Sequence, residues 1–120
     1  IVAPANPVSS IGPMLAIPGL RRELERAREK VVAVSPIIGG KPVSGPAAKY
    51  MGALGLEVSP AGVASYYKDI ASSLVIAKTD LQMADRIRRL GMEAEPAEIV
   101  MKGPSGEARL ARHLVRMARN

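Results

Sequence analysis

Glycine, lysine, asparagine and serine recur in two loops of this chain at spacings that suit an anion. The stretch Lys30–Tyr50 carries Gly39, Gly40, Lys41 and Gly45 between an apolar run, Val31–Val34, and Pro46, which suits a helix start. In such a loop the backbone N–H groups and the N-terminus of the following helix face the ligand. Glycine lets the ligand come close, and Lys41 adds a full positive charge. This chemistry points to a phosphorylated ligand. The other loop is Asn6-Pro7-Val8-Ser9-Ser10-Ile11-Gly12-Pro13. Its Asn and Ser side chains, with free amides, suit a phosphate, a nucleotide or a carboxylate.

Both loops also fit plainer readings. Asn6 and Ser10 are good caps for a strand-to-helix turn. Gly39-Gly40-Lys41 lacks the GK[ST] ending of a phosphate-binding Walker loop and the GxGxxG spacing of a dinucleotide fold, so it also reads as an ordinary βα loop. His113, the one histidine, lies in a helical stretch beside Arg112 and Arg116 and reads as a surface residue. No metal-ligand spacing is present, and Asp69, Asp80 and Asp85 form no obvious acid–base pair. Met51 and Met117 read as core filler.

The elements that must position these loops alternate. Ile1–Ala3 reads as a short strand, and a short helical piece is expected around Met14–Ala16. A helix from Pro18-Gly19 to about Glu29 follows, with Leu20, Leu24 and Ala27 on one face. Lys30–Ser35 is a buried strand. Pro46 opens a helix that buries Ala47, Met51 and Leu54 and ends at Gly55. Leu56–Val58 reads as a short extended piece. Ser59-Pro60 starts a helix to about Asp69. Ser73–Ala77 is a second buried strand. Thr79-Asp80-Leu81-Gln82 has capping-box spacing for a helix to Leu90, stopped by Gly91. Met92–Ala94 and Ile99–Met101 are strand candidates, and a last helix follows Pro104 to about Ala118. Strands apolar on both faces, alternating with helices, argue an α/β fold with a mostly parallel sheet covered on both sides. Ligands of such folds bind at the carboxyl ends of strands, where both loops lie.

Composition narrows the partners. The 120 residues suffice for one modest domain, and no boundary falls within residues 1–120. There is no Phe and no Trp, which excludes aromatic stacking platforms for single-stranded nucleic acid. The net charge of +6 favours anionic partners, but the charges alternate in sign along helices, as in Arg21-Arg22-Glu23-Leu24-Glu25-Arg26. A solvated helix face explains most of them, so neither nucleic acid nor a membrane is expected. The lack of cysteine permits a cytoplasmic location. Ile1-Val2-Ala3 is apolar from its first residue with no cap before it, which reads as a segment of a longer protein whose N-terminal half is absent.

The wording of the two loops goes further. Asn6–Gly19 resembles the NPxxSIGPILAVPG segment of the 2-phospho-L-lactate transferase family. Val32–Ala47 is similar to its VAVSPIIGGKPVKGPA segment, and Met51–Val63 and Leu110-Ala111 also fit. The resemblance covers essentially the whole chain. It implies the C-terminal half of a Rossmann-like three-layer sandwich. It also implies a role in biosynthesis of the deazaflavin coenzyme F-420: transfer of a phospholactyl or phosphoenolpyruvyl group from a guanosine-diphosphate-activated donor to a deazaflavin hydroxyl, with release of GMP. Magnesium is the implied cofactor, its ligands expected in the absent N-terminal half, and the segment alone is expected to be inactive. A homodimer is an open expectation. Asn6, Ser9, Ser10 and Gly12 in the first loop, and Gly39, Gly40, Lys41 and Gly45 in the second, are the expected substrate and phosphate contacts. Among the backbone donors, those of Ser10–Gly12 and Gly39–Gly40 are expected to face the donor's phosphates. The chain departs from the family pattern at Ser44, where lysine is common, and over Glu93–Lys102. The alternative is a nucleotide-sugar-binding regulatory protein of the same superfamily.

Overall fold

The computed structural model describes residues 1–120. Three parallel strands form the centre: β1 (Val32–Val34), β4 (Ser73–Ala77) and β5 (Glu93–Ala97), in the order β1-β4-β5. The chain start adds to the β1 edge. Val2 bridges Ala33 in parallel, with the Val2 N–H donating to Val32 O and the Val34 N–H to Val2 O. The expected first strand is therefore a single parallel bridge.

Burial on both faces follows from the period-2 alternation of a strand. Ala33, Leu74 and Ile76 point into one core, while Val32, Val34, Val75 and Ala77 point into another. The first core is closed by the short α1 (Gly12–Leu15), α3 (Ala47–Ala53), α4 (Pro60–Tyr67) and α5 (Ala84–Arg89), through residues such as Leu15, Met51, Val63, Tyr67 and Ile87. The second is closed by the long α6 (Gly103–Arg119), through Leu110 and Leu114. Helix α2 (Leu20–Arg26) is peripheral and buries no residue fully, with Leu24 only partly packed on the first core. The result is the expected α/β three-layer arrangement of Rossmann-like type. Leu74 and Ile76 are fully buried, each contributing about 1.5–3 kcal/mol by leaving water.

Helix ends are set by local chemistry. Pro60 follows the Ser59 N-cap, whose hydroxyl accepts the Gly62 N–H at 3.0 Å. Gly62 admits no side chain, since a Cβ there would overlap the Glu57 carbonyl. Arg28 donates to the carbonyls of Lys68 and Gly91, tying the chain just beyond α4 to the residue that stops α5.

Several local expectations fail. The span Lys30–Tyr50 is more than a loop: Ile37–Ile38 (β2) and Lys41–Pro42 (β3) pair antiparallel across Gly39-Gly40. Both glycines have positive φ, 59° and 78°, as a two-residue hairpin turn demands. Asn6 caps a π-helical turn, Pro7–Ile11, that runs into α1. The expected helix over Thr79–Leu90 is divided. Lys78–Met83 is a 3₁₀ segment bent at Asp80, and α5 starts only at Ala84. No side chain caps the start of either piece, and the expected Thr79–Gln82 capping box does not form. β5 runs on through Pro96, which an edge strand tolerates. Leu56–Val58 and Ile99–Met101 form no strand.

Candidate functional site

Strand β1 is followed by Ser35, a buried residue that sets the chain's direction. Its N–H extends the sheet by donating to Val75 O at 2.9 Å. Its hydroxyl donates to Ile37 O and accepts the Ile37 N–H, turning the chain into the β2–β3 hairpin. The hairpin is then anchored from the 3₁₀ segment that follows β4. The Gly39 N–H donates to both carboxylate oxygens of Asp80, at 3.2 and 3.1 Å, and Asp80 is buried.

Between this turn and the Asn6 turn lies a cleft of about 330 Å³. Asn6, Ser10, Ser35, Val43, Ser44 and Met101 contribute to its walls. It sits beyond the carboxyl end of β1, where parallel sheets hold their ligands. Asn6 is the polar group best prepared for a guest. Its Oδ1 accepts the N–H groups of Val8 and Ser9, at 3.0 and 3.2 Å, which fixes the orientation of the amide. Its Nδ2 is then left buried with no partner. A buried donor without an acceptor costs about 1–3 kcal/mol, and an incoming oxygen would relieve that cost. The Ser10 and Ser44 hydroxyls stand in the same cleft without protein partners and can turn to donate.

The expected backbone donors are mostly committed. The N–H groups of Ser10 and Ile11 donate to Asn6 O, and that of Gly12 donates to Pro7 O. The Gly39 N–H is held by Asp80. What the first loop offers a ligand is side chains, because its amides close the π-helical turn. Gly12 has a steric role here: a Cβ would come within 3.2 Å of the Tyr66 hydroxyl and 3.4 Å of Pro7 O.

Of the residues expected to bind, the structure brings Asn6 and Ser10 into the cleft. Ser9 is exposed beside it, with its N–H on Asn6. Gly39, Gly40 and Lys41 form the exposed hairpin tip outside the cleft walls. Gly45 follows at φ 74° in the bend between β3 and α3, next to Ser44. Ser35 and Met101 are not among the expected contacts, and Ser44 reads in the sequence only as a departure from the family's lysine. A serine just after a buried strand and before a proline, as in Ser35-Pro36, is the one signal that could have found Ser35. The walls contain no carboxylate, and no three His, Asp or Glu side chains converge anywhere in residues 1–120. These residues therefore do not fit a divalent metal ion.

The chain matches the model of the family described as 2-phospho-L-lactate transferase CofD over residues 1–112. It is similar to the 2-phospho-L-lactate transferase of Methanosarcina acetivorans, at 44% identity over 115 residues, covering 96% of this chain and 37% of that protein. The 2-phospho-L-lactate transferase of Methanococcoides burtonii is 37% identical over 120 residues, with 100% of this chain and 39% of that protein covered. For that of Methanocaldococcus jannaschii the values are 40% over 115 residues, 96% and 35%. The chain thus spans little more than a third of the length of the curated relatives it matches. With the match running through both loops and into the last helix, the chain belongs to the 2-phospho-L-lactate transferase CofD family.

Proposed function

We propose that the protein carrying this chain transfers a phospholactyl or phosphoenolpyruvyl group. The donor is activated with guanosine diphosphate, the acceptor is the ribityl hydroxyl of a deazaflavin, and GMP leaves. The family match supports the reaction class. The observation that carries the site is the buried, unpartnered Nδ2 of Asn6, a residue that lines a cleft with two free serine hydroxyls beyond the carboxyl end of β1. Asn6 would donate to an oxygen of the donor, and Ser10 would share the load. Phosphoryl transfer depends on positioning and charge stabilisation, and neutral donors held on rigid turns supply the first. The hairpin would form a wall near the bound donor, with Lys41 at its tip as a point charge.

Magnesium is the cofactor of this proposal. Its ligands fall in the part of the relatives' length that these residues do not span, so the segment by itself would bind weakly and turn over nothing. The setting we propose is the cytoplasm. No helix of the structure is long and apolar enough to cross a membrane.

The test uses the full-length protein with magnesium, a deazaflavin acceptor and the guanylylated phospholactate donor. GMP release is expected. A folded full-length protein that releases none, with either the lactyl or the enolpyruvyl donor, would sink the reading.

A further inference from the structure

A larger cleft lies elsewhere. It occupies about 660 Å³ where β4 and β5 end and α6 passes over them, and it touches the first cleft through Val100. Lys78, the first residue past β4, and Lys102, the residue before α6, face it from the strand side. Arg109, His113 and Arg116 face it from α6. Their i, i+4, i+7 spacing puts them on one stripe of the helix.

None of the four full cations here has a partner. Lys78, Lys102, Arg109 and Arg116 make no ion pair and no side-chain hydrogen bond. The arginines Arg26, Arg28, Arg86 and Arg88, by contrast, all hold carboxylates within 3.1 Å. The opposing charges are few. Glu98 lines the cleft, and Glu95 stands 3.8 Å from His113 Nε2, too far for a hydrogen bond. That Nε2 is itself buried without a partner. Four unpaired, exposed cations against one lining carboxylate leave a positive field over a concave surface, which concentrates anions.

We propose that this cleft is a second anion site, shaped for a ligand bearing two or more linked phosphate groups. The spacing selects that class. Arg109 and Arg116 are two helical turns apart, about 10 Å along the axis at 1.5 Å per residue. A diphosphate offers oxygens over a longer span than a single phosphate and so can engage both arginines at once. Guanidinium groups suit phosphate oxygens by their forked donors, and the cleft volume falls within the range of small-ligand sites. This inference goes beyond the transferase reading. The site lies past the ends of β4 and β5, while the Asn6 cleft lies past β1.

The experiment is calorimetric titration of the full-length protein, at low salt and without donor or acceptor, with inorganic diphosphate, inorganic phosphate and a single-stranded oligonucleotide. Diphosphate is expected to bind at least tenfold more tightly than phosphate. In Arg109→Gln/Arg116→Gln its affinity should fall by about tenfold or more, as loss of two charge-assisted contacts requires. Arg22→Gln/Lys49→Gln removes the same net charge from exposed helix positions and should bind as the parent does. If the double arginine variant does not fold, Lys78→Gln/Lys102→Gln takes its place with the same expectation. Unchanged diphosphate binding in the cleft variants would overturn the proposal, as would an equal loss in the control. Tighter binding of the oligonucleotide through the same residues would overturn it in favour of a nucleic-acid surface. GMP release plays no part in these readings, so this proposal and the transferase proposal fail separately.

Discussion

The carboxylate of Asp80 accepts the N–H of Gly39 with both oxygens, across 41 residues of sequence. Asp80 is 2% exposed, and Gly39 stands at the exposed tip of a hairpin. One buried acid just past the end of β4 thereby fixes the loop that leaves β1. Asp80→Ala frees the Gly39 amide and leaves a small hole beside it. The expected loss is about 1–3 kcal/mol. Amide exchange should quicken at the β2–β3 hairpin while the β1–β4–β5 sheet stays protected. Uniform exchange across the sheet and the hairpin would contradict an anchoring role.

Gly62→Ala should be among the most damaging small substitutions in the chain. The new Cβ overlaps the Glu57 carbonyl, a backbone atom that cannot swing aside. The start of α4 would have to move, and with it the Ser59 cap and part of the first core. A loss of about 2–4 kcal/mol is expected by analogy with overpacked sites, read as a lower midpoint in urea. Gly52→Ala, at an exposed α3 position with open space around it, serves as the comparison and should stabilise slightly.

Tyr67 is fully buried, yet its hydroxyl has no partner. Burial pushes its phenol above the ordinary range, so it stays neutral. Tyr67→Phe removes the unsatisfied hydroxyl and keeps the ring against Tyr66, 5.4 Å away. Stability should hold or rise by about 1 kcal/mol. A clear loss in thermal midpoint would mean that the hydroxyl has a partner after all.

The Arg86 guanidinium donates to both carboxylate oxygens of Glu57, and the Ser59 hydroxyl donates to one of them. Together they hold the Glu57 carboxyl below its ordinary value, with Arg86 the larger influence. A depressed acid contributes stability above its unfolded value, about 4.3, and loses it as pH falls through the folded value. The pair is half exposed, so the contribution should be under about 1 kcal/mol. Arg86→Gln should therefore narrow the difference between stability at pH 6 and at pH 3. An undiminished difference would assign that acid sensitivity to other carboxylates.

The sequence shows the sheet plainly and the site in part, for reasons of range. Val31–Val34 and Ser73–Ala77 read as buried strands because both faces are covered, so every residue is apolar or small. Asn6 is legible as a cap because its partners lie two and three residues away. The Asp80–Gly39 bond is invisible because its ends are far apart in sequence, and Thr79–Gln82 mimics a local cap. Two-residue strands such as Ile37–Ile38 are too short to show a period. Ile99–Met101 looks like a strand because it is apolar, but Ile99 fills the second core and Met101 lines the Asn6 cleft. The cationic cleft gathers Lys78 from the end of β4 and Lys102 from the stretch between β5 and α6, and each alone reads as a surface charge.

Asn6 does two jobs that substitution can separate. Its Oδ1 caps the π-helical turn, and its Nδ2 is buried without a partner in a residue that lines the cleft. Asn6→Asp keeps an acceptor for the Val8 and Ser9 amides and so keeps the cap. It replaces the donor with a negative oxygen, which repels an anionic ligand. Asn6→Ala loses both functions. The aspartate variant should keep the parent's thermal midpoint within about 0.5 kcal/mol, while the alanine variant should lose about 1 kcal/mol. In the full-length protein both should weaken binding of the guanylylated donor, the aspartate more than the alanine, because it adds repulsion to the lost hydrogen bond. If affinity instead followed stability, with aspartate close to the parent and only alanine impaired, Asn6 would be a cap alone and the donor would have to be held by other groups.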